Sequence, residues 1–163
     1  MAGIGRLSTK DSVLLLCDMQ EKFRPNIFQF TNIVSNAARL LQASRVLGIP
    51  SILTEQYPKG LGPTVPELGA EGLTAHAKTS FTMMIDVVEK ELQALGNPKQ
   101  AILQTDRLFA LSRLKQSGAY LTTTEAVLLQ LVQDAKHPNF KEIQRLLTHP
   151  SPDTDLLGFI SAL

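Results

Sequence analysis

The chain reads as an α/β protein of three layers, α-β-α, built on a mostly parallel sheet. Three observations predict this. Residues 13–17 (VLLLC) form a continuous apolar run, the pattern of a strand covered on both faces. Short runs of this kind alternate with stretches of helical periodicity, the order that produces βαβ units. The 163 residues, 44% hydrophobic and 19% charged, suffice for a single domain with its own core. That domain is expected to span 1–163, with a core at 12–147 and a C-terminal tail at 148–163.

Bounded by Ser12 and Asp18, the run 13–17 is predicted to be the first strand. Residues 21–30 read as a loop broken by Pro25, in which Phe23, Phe28 and Phe30 pack locally. Thr31 or Asn32 is placed to cap a helix with Ile33, Ala37, Leu40, Leu41, Ser44 and Leu47 on its inward face. Gly48 and then Pro50 end it. Residues 51–54 form a second strand and complete a βαβ unit of the usual right-handed crossover. The stretch 55–74 holds three prolines and four glycines, and a loop this long inside a compact domain is usually functional. Residues 75–80 are a short extended segment carrying Lys78.

From Met83 to Leu95 the pattern is an amphipathic helix with Met84, Val87, Val88, Glu91 and Leu95 on one side, stopped by Gly96-Asn97-Pro98. A third buried strand follows at 100–103. Thr105 or Asp106 starts a helix with Leu108, Leu111 and Leu114 at its core, Gly118 stops it, and 119–122 is a further strand. Thr122 with Glu125 makes a capping box for a helix through Ala135. Pro138 breaks that helix, Asn139 caps a short one to Leu147, and Pro150 and Pro152 open the tail.

A formal net charge of +1, with no basic run, argues against nucleic acid or an anionic membrane as partner. No apolar stretch approaches the roughly 20 residues that span a bilayer. Cys17 is the only cysteine, which excludes an internal disulfide framework and a cysteine-based zinc site. It also favours a reducing, cytoplasmic setting, and Arg6 and Lys10 alone are a thin basis for a mitochondrial leader. His76, His137 and His149 are scattered without helix-spaced partners, so no metal is expected. The glycines follow neither the dinucleotide nor the P-loop spacing, and no G-x-S-x-G elbow exists; neither a cofactor nor a serine nucleophile is expected.

Asp18 sits at the carboxyl end of the first strand, the edge where open α/β sheets bind ligands. An aspartate there also caps turns by Asx hydrogen bonding, and both readings stay open. Lys78, among Ala75, Ala77 and Phe81, is a second candidate, set against a lysine that snorkels to solvent. Cys17 beside Asp18 invites a nucleophile reading. Successive strand residues face opposite ways, however, so in a regular strand the two cannot share a pocket, and Cys17 is expected to be a small buried hydrophobe.

Taken together, Leu16-Cys17-Asp18-Met19-Gln20-Glu21-Lys22-Phe23, Leu53-Thr54-Glu55-Gln56-Tyr57-Pro58, Gly60-Leu61-Gly62-Pro63-Thr64-Val65-Pro66-Glu67-Leu68 and Ala77-Lys78-Thr79 with Phe81 resemble the isochorismatase-like hydrolases of the cysteine hydrolase superfamily. The animal branch of isochorismatase domain-containing proteins is the most similar. Residues 105–108 and 140–144 fit as well, so the resemblance covers nearly the whole chain. It implies a parallel sheet of six strands in the order 3-2-1-4-5-6, flanked by helices. It also implies hydrolysis by an aspartate, a lysine and a cysteine, with Asp18 and Lys78 matching the first two and Phe23, Gln56 and Tyr57 binding substrate. In the family's amidohydrolases the aspartate takes the thiol proton and the lysine favours the anionic forms. The cysteine then attacks the carbonyl carbon, and backbone N–H groups hold the oxyanion.

The resemblance breaks after Leu103. There the strand passes through Gln104 directly into the helix that should follow the family's fifth strand. A block on the order of 35 residues, about one helix–strand unit with its connections, is missing, and the nucleophile and oxyanion turn with it. The sheet is then about one such unit short of six strands; either strand 119–122 slides into the vacated slot, or the hydrophobic edge of the fourth strand stays open and the chain aggregates. Three functions follow as expectations. One is a shortened, inactive hydrolase, such as a splice product, that still binds a small carboxylate or amide. Another is a module that pairs with a full-length relative or with itself as a homo-oligomer. The third is a hydrolase acting through Asp18 as a general acid without a thiol.

Overall fold

A computed structural model of the chain describes residues 7–104, 119, 120, 122–149, 151 and 152. At its centre lies β1 (Ser12–Cys17), with β2 (Ser51–Gln56) on one side and β4 (Gln100–Gln104) on the other. β3 (Ala75–Lys78) lies outside β2, giving the order β3-β2-β1-β4 with every pair parallel. This is the inner part of the implied six-strand order. The helices are α1 (Phe30–Leu47), α2 (Pro58–Leu61), α3 (Asp86–Ala94), α4 (Thr124–Val132) and α5 (Phe140–Leu147).

Alternation along β1 sorts the core into two. Leu14 and Leu16 face one way, with Leu53 and Ile102 from the flanking strands, and meet α1, α4 and α5 through Leu41, Leu128, Leu131 and Ile143. Val13 and Leu15 face the other way with Ile52 and meet Met83 and Val88 of the α3 segment. The sheet is thus the middle of three layers. α1 ends as expected at Gly48, left-handed at φ 67, and Ile49 N–H returns to the Ser44 carbonyl at 2.8 Å.

Several local expectations are corrected. α1 begins at Phe30, ahead of Thr31, because the Phe30 ring is buried in the α1-side core and draws the first turn in. α4 is capped by Thr123 rather than Thr122: its Oγ1 accepts the Ala126 N–H at 3.3 Å. Glu125 reaches Arg39 of α1, at 3.4 Å, and the Ser151 hydroxyl, and also bonds the Thr123 side chain at the cap. Asn139 does stand at the cap position of α5, but its amide donates to the Val46 carbonyl at 2.6 Å and ties α5 to α1.

α3 starts later than expected, at Asp86, and of its anticipated apolar side only Val88 is buried. The contact stripe is Ile85, Val88 and Leu92, and Met84, Val87 and Leu95 stay exposed. Residues 119, 120 and 122 belong to no strand and Tyr120 is exposed, so the expected strand does not fill the slot beside β4. Thr123 directly behind them caps α4. The sheet has four strands among the described residues, and the helix expected from 105 lies outside them. Among the described residues no helix is long and apolar enough to cross a membrane.

Candidate functional site

β1 stays extended to Cys17 and then breaks, because Asp18 adopts the left-handed conformation at φ 55. Aspartate is one of the few residues besides glycine that tolerates it. In a regular strand Asp18 would follow Leu16 towards α1. The break turns its carboxylate to the α3 side, where the register has already gathered polar groups: Thr54 beside Cys17, His76 beside Thr54, and Lys78 beside Gln56. Asp18 Oδ1 accepts from Thr54 Oγ1 at 2.8 Å, and Oδ2 accepts from Lys78 Nζ at 2.6 Å.

Lys78 does not snorkel. Its side chain is 1% exposed, against 17% for Asp18. The ammonium donates to Asp18, to Gln56 Oε1 at 2.7 Å and to the Ser80 carbonyl at 3.2 Å, which uses all three of its N–H groups. Beside the pair, His76 Nε2 meets Glu91 Oε2 of α3 at 2.7 Å.

The expectation that Cys17 and Asp18 face apart is overturned by the same backbone break. The Cys17 thiol lies within hydrogen-bonding reach of the Asp18 carboxylate and the Thr54 hydroxyl. Burial first, and the Asp18 charge second, push the thiol pKa up to about 11, with Lys78 pulling it the other way. Cys17 therefore shares the site's face as a protonated thiol.

Of the three residues matched to substrate binding, Gln56 joins the pair and is held by it; its Nε2 also donates to the Thr79 carbonyl at 2.8 Å. Tyr57 is exposed and strained at φ 36, with its ring over Gly60, where an added Cβ would come within 2.4 Å of it. Phe23, half-buried, packs against the α1-side core. The long loop is fastened rather than loose: Glu55 Oε1 accepts from the Thr64 N–H and hydroxyl at 2.6 and 2.7 Å, and Val65 and Leu68 are buried.

Sequence reasoning missed Gln20 and Thr54, both fully buried. Thr54 was visible as a polar residue inside the apolar stretch 52–54, and Gln20 as an amide two residues past the strand's acid. Among the described residues no group of three or more His, Cys, Asp or Glu is arranged to hold a metal.

A profile of the isochorismatase domain matches residues 12–96, more than half of the chain and every site residue above. The chain belongs to the isochorismatase family. It is 66% identical to isochorismatase domain-containing protein 2 of Danio rerio, with all of both chains covered. To the Homo sapiens protein of that name it is 47% identical, over 95% of this chain and 92% of the human one. Among solved structures, a Caenorhabditis elegans protein described as MAR1 ribonuclease superposes with a TM-score of 0.82 at 37% identity, covering 93% of this chain and 97% of its own. The Danio rerio alignment runs over 197 positions and takes in all 163 residues here. About 34 positions of that relative (197 less 163) therefore stand opposite nothing in this isochorismatase-family chain.

Proposed function

We propose that the chain is a shortened isochorismatase-family protein that binds a small N–H-bearing ligand, such as a primary amide, at Asp18 and does not hydrolyse it through a thioester. One observation carries the reading. An acid and a lysine pair at the carboxyl end of the parallel strands, while the chain's only thiol lies beside them with its pKa near 11. At pH 7 only about one in 10⁴ such thiols is ionised. We place the missing positions after Leu103, on the resemblance of residues 105–108 and 140–144 to the part of the family that follows its fifth strand. The thiol of the family's amidohydrolases goes with them.

The geometry narrows the ligand. Lys78 has spent its three donors inside the protein, so a carboxylate meets an ammonium already satisfied. Asp18 keeps lone pairs beyond those taken by Thr54 and Lys78 and suits a donor. Ligand-observed NMR with primary amides and their matching carboxylates tests this; amide binding, abolished by Asp18→Asn, is expected, and carboxylate binding alone would sink it. Ammonia release and isochorismate cleavage are assayed alongside. Turnover lost in Asp18→Asn but kept in Cys17→Ser would establish hydrolysis through the acid, and turnover lost in Cys17→Ser would make the thiol the nucleophile. Cleavage of single-stranded RNA would move the chain to the activity named for its nematode relative.

A second reading, pairing with a full-length relative or with a second copy, is supported by the apolar side chains left exposed along α3 and β4: Met84, Val87, Leu95 and Leu103. Sedimentation velocity, alone and mixed with a full-length relative, decides it. A monomer in both experiments ends that reading.

A further inference from the structure

The β1–β2 ladder runs to the rung Cys17↔Thr54, and its last bond is Asp18 N–H to the Thr54 carbonyl at 3.1 Å. Asp18 then turns left-handed and takes the backbone away. Two residues on, Gln56 still directs its N–H and C=O to the side that β1 has left, because alternate residues of a strand pair with the same neighbour. Buried backbone groups without partners are expensive and rare.

The side chain of Gln20 fills that gap. Its Oε1 accepts the Gln56 N–H at 2.7 Å, and its Nε2 donates to the Gln56 carbonyl at 3.0 Å. An amide offering one donor and one acceptor to a single residue reproduces what a strand backbone would have offered. Nε2 also donates to the Gly62 carbonyl at 2.6 Å, and the whole side chain is buried. From Gln56 the connection continues to the pair, through Gln56 Oε1 to Lys78 Nζ at 2.7 Å and Lys78 Nζ to Asp18 at 2.6 Å. The circuit closes two residues from where it began.

We propose that Gln20 is a positioning residue: its amide replaces the strand pairing that β1 gives up at Asp18, and through Gln56 it holds Lys78 against the acid. The inference rests on reading Asp18 and Lys78 as the site, but its test uses no ligand, so a chain that binds nothing would leave the result standing. The competing account is that Gln20 only staples the loop at Gly62 and supports the fold.

The full-length chain is labelled with an amine-reactive acetylating reagent, and the rate at Lys78 is read by peptide mass relative to exposed Lys59. Gln20→Met keeps the length and removes both polar ends. Leu128→Ala, remote in the α1-side core, supplies a control of comparably lowered Tm. Lys78 labelling at least about tenfold faster in Gln20→Met than in Leu128→Ala is the expected result. Equal rates in the two variants would reduce Gln20 to a stabilising staple and overturn the proposal.

Should Gln20→Met fail to fold, Gln20→Glu decides the matter. Ionised, the new carboxylate faces two carbonyls; protonated, it regains one O–H donor and one acceptor. Hydrogen-exchange protection of the Gln56 amide, corrected for intrinsic rate, should therefore be weak at neutral pH. It should recover as the pH falls through the carboxylate range. Protection that ignores pH would overturn the proposal equally.

Discussion

On the α1 side of the sheet, β1 presents Leu14 and Leu16 to three helices, and the buried cluster runs on without a break into α4 and α5. On the α3 side the same strand presents Val13, Leu15 and Cys17, and the helix above them has nine residues and one fully buried side chain, Val88. The polar groups collect on that thinner side: Thr54, His76 and Lys78 by strand register, and Asp18 by its backbone turn. One face is held by apolar burial and the other, at its carboxyl end, by short charge-assisted hydrogen bonds. A site needs buried polar groups in fixed positions with one of them reachable, and the second face provides that.

Paired core truncations probe this contrast most strongly. Leu128 and Val88 are both 0% exposed. Leu128→Ala should lower the unfolding free energy by about 2–5 kcal/mol in urea titrations. Val88→Ala should cost less, about 1–2 kcal/mol, because it removes a smaller volume of hydrocarbon than Leu→Ala and α3 can settle onto the sheet. A larger loss at Val88 than at Leu128 would break the comparison, since it would make the thin layer the stability-determining one.

Next in size is the ion pair. Asp18→Ala removes the Lys78 counter-charge from a side chain that is 1% exposed and also puts a β-carbon residue with no αL preference at φ 55. A loss of about 3 kcal/mol is expected. Asp18→Asn keeps the left-handed preference and the Oδ1 acceptor for Thr54, so it should cost about half as much. Equal losses would show that charge alone, and not backbone conformation, sets the cost.

The thiol gives a smaller effect with a defined pH window. Its pKa rises from the usual 9.0 to about 11 on folding, so the folded chain holds the proton more tightly than the unfolded one. The stability this contributes is complete below about pH 9 and is lost as the pH climbs through 11. Urea midpoints of the wild type should therefore fall more steeply than those of Cys17→Ala between those limits. Alkylation by iodoacetamide at pH 8 should be about 100-fold slower in the folded chain than in urea. A folded-state rate that matches the unfolded one would place the thiol outside the network.

Most of the architecture is legible in the amino-acid sequence. The apolar run at 13–17, the α1 face and its Gly48 stop, the four parallel strands, and Asp18 and Lys78 all follow from pattern or motif. The position of Cys17 does not, because the alternation rule assumes a regular strand and Asp18 leaves it within one residue. Residues 119, 120 and 122 are not in the expected strand, and so short a run carries no local signal that separates a strand from the approach to the α4 cap at Thr123. Gln20 escapes because its value lies in replacing a backbone pair, and that role exists only once the strand beside it has ended.

The α3 side also carries the smallest expected effect. Val87 is 44% exposed and Leu95 42%, flanking a helix whose contact with the sheet runs through Ile85, Val88 and Leu92. If that exposed flank faces water, Val87→Lys should change stability by no more than about 0.5 kcal/mol and leave the sedimentation coefficient unaltered. If a second chain covers it, the same substitution buries an unpaired ammonium in an apolar contact and should dissociate the complex at concentrations where the wild type stays associated. The two outcomes differ in hydrodynamic size as well as in stability. A Val87→Lys chain that sediments unchanged while unfolding several kcal/mol earlier would fit neither and would mean that the thin layer is packed more tightly than its exposure implies.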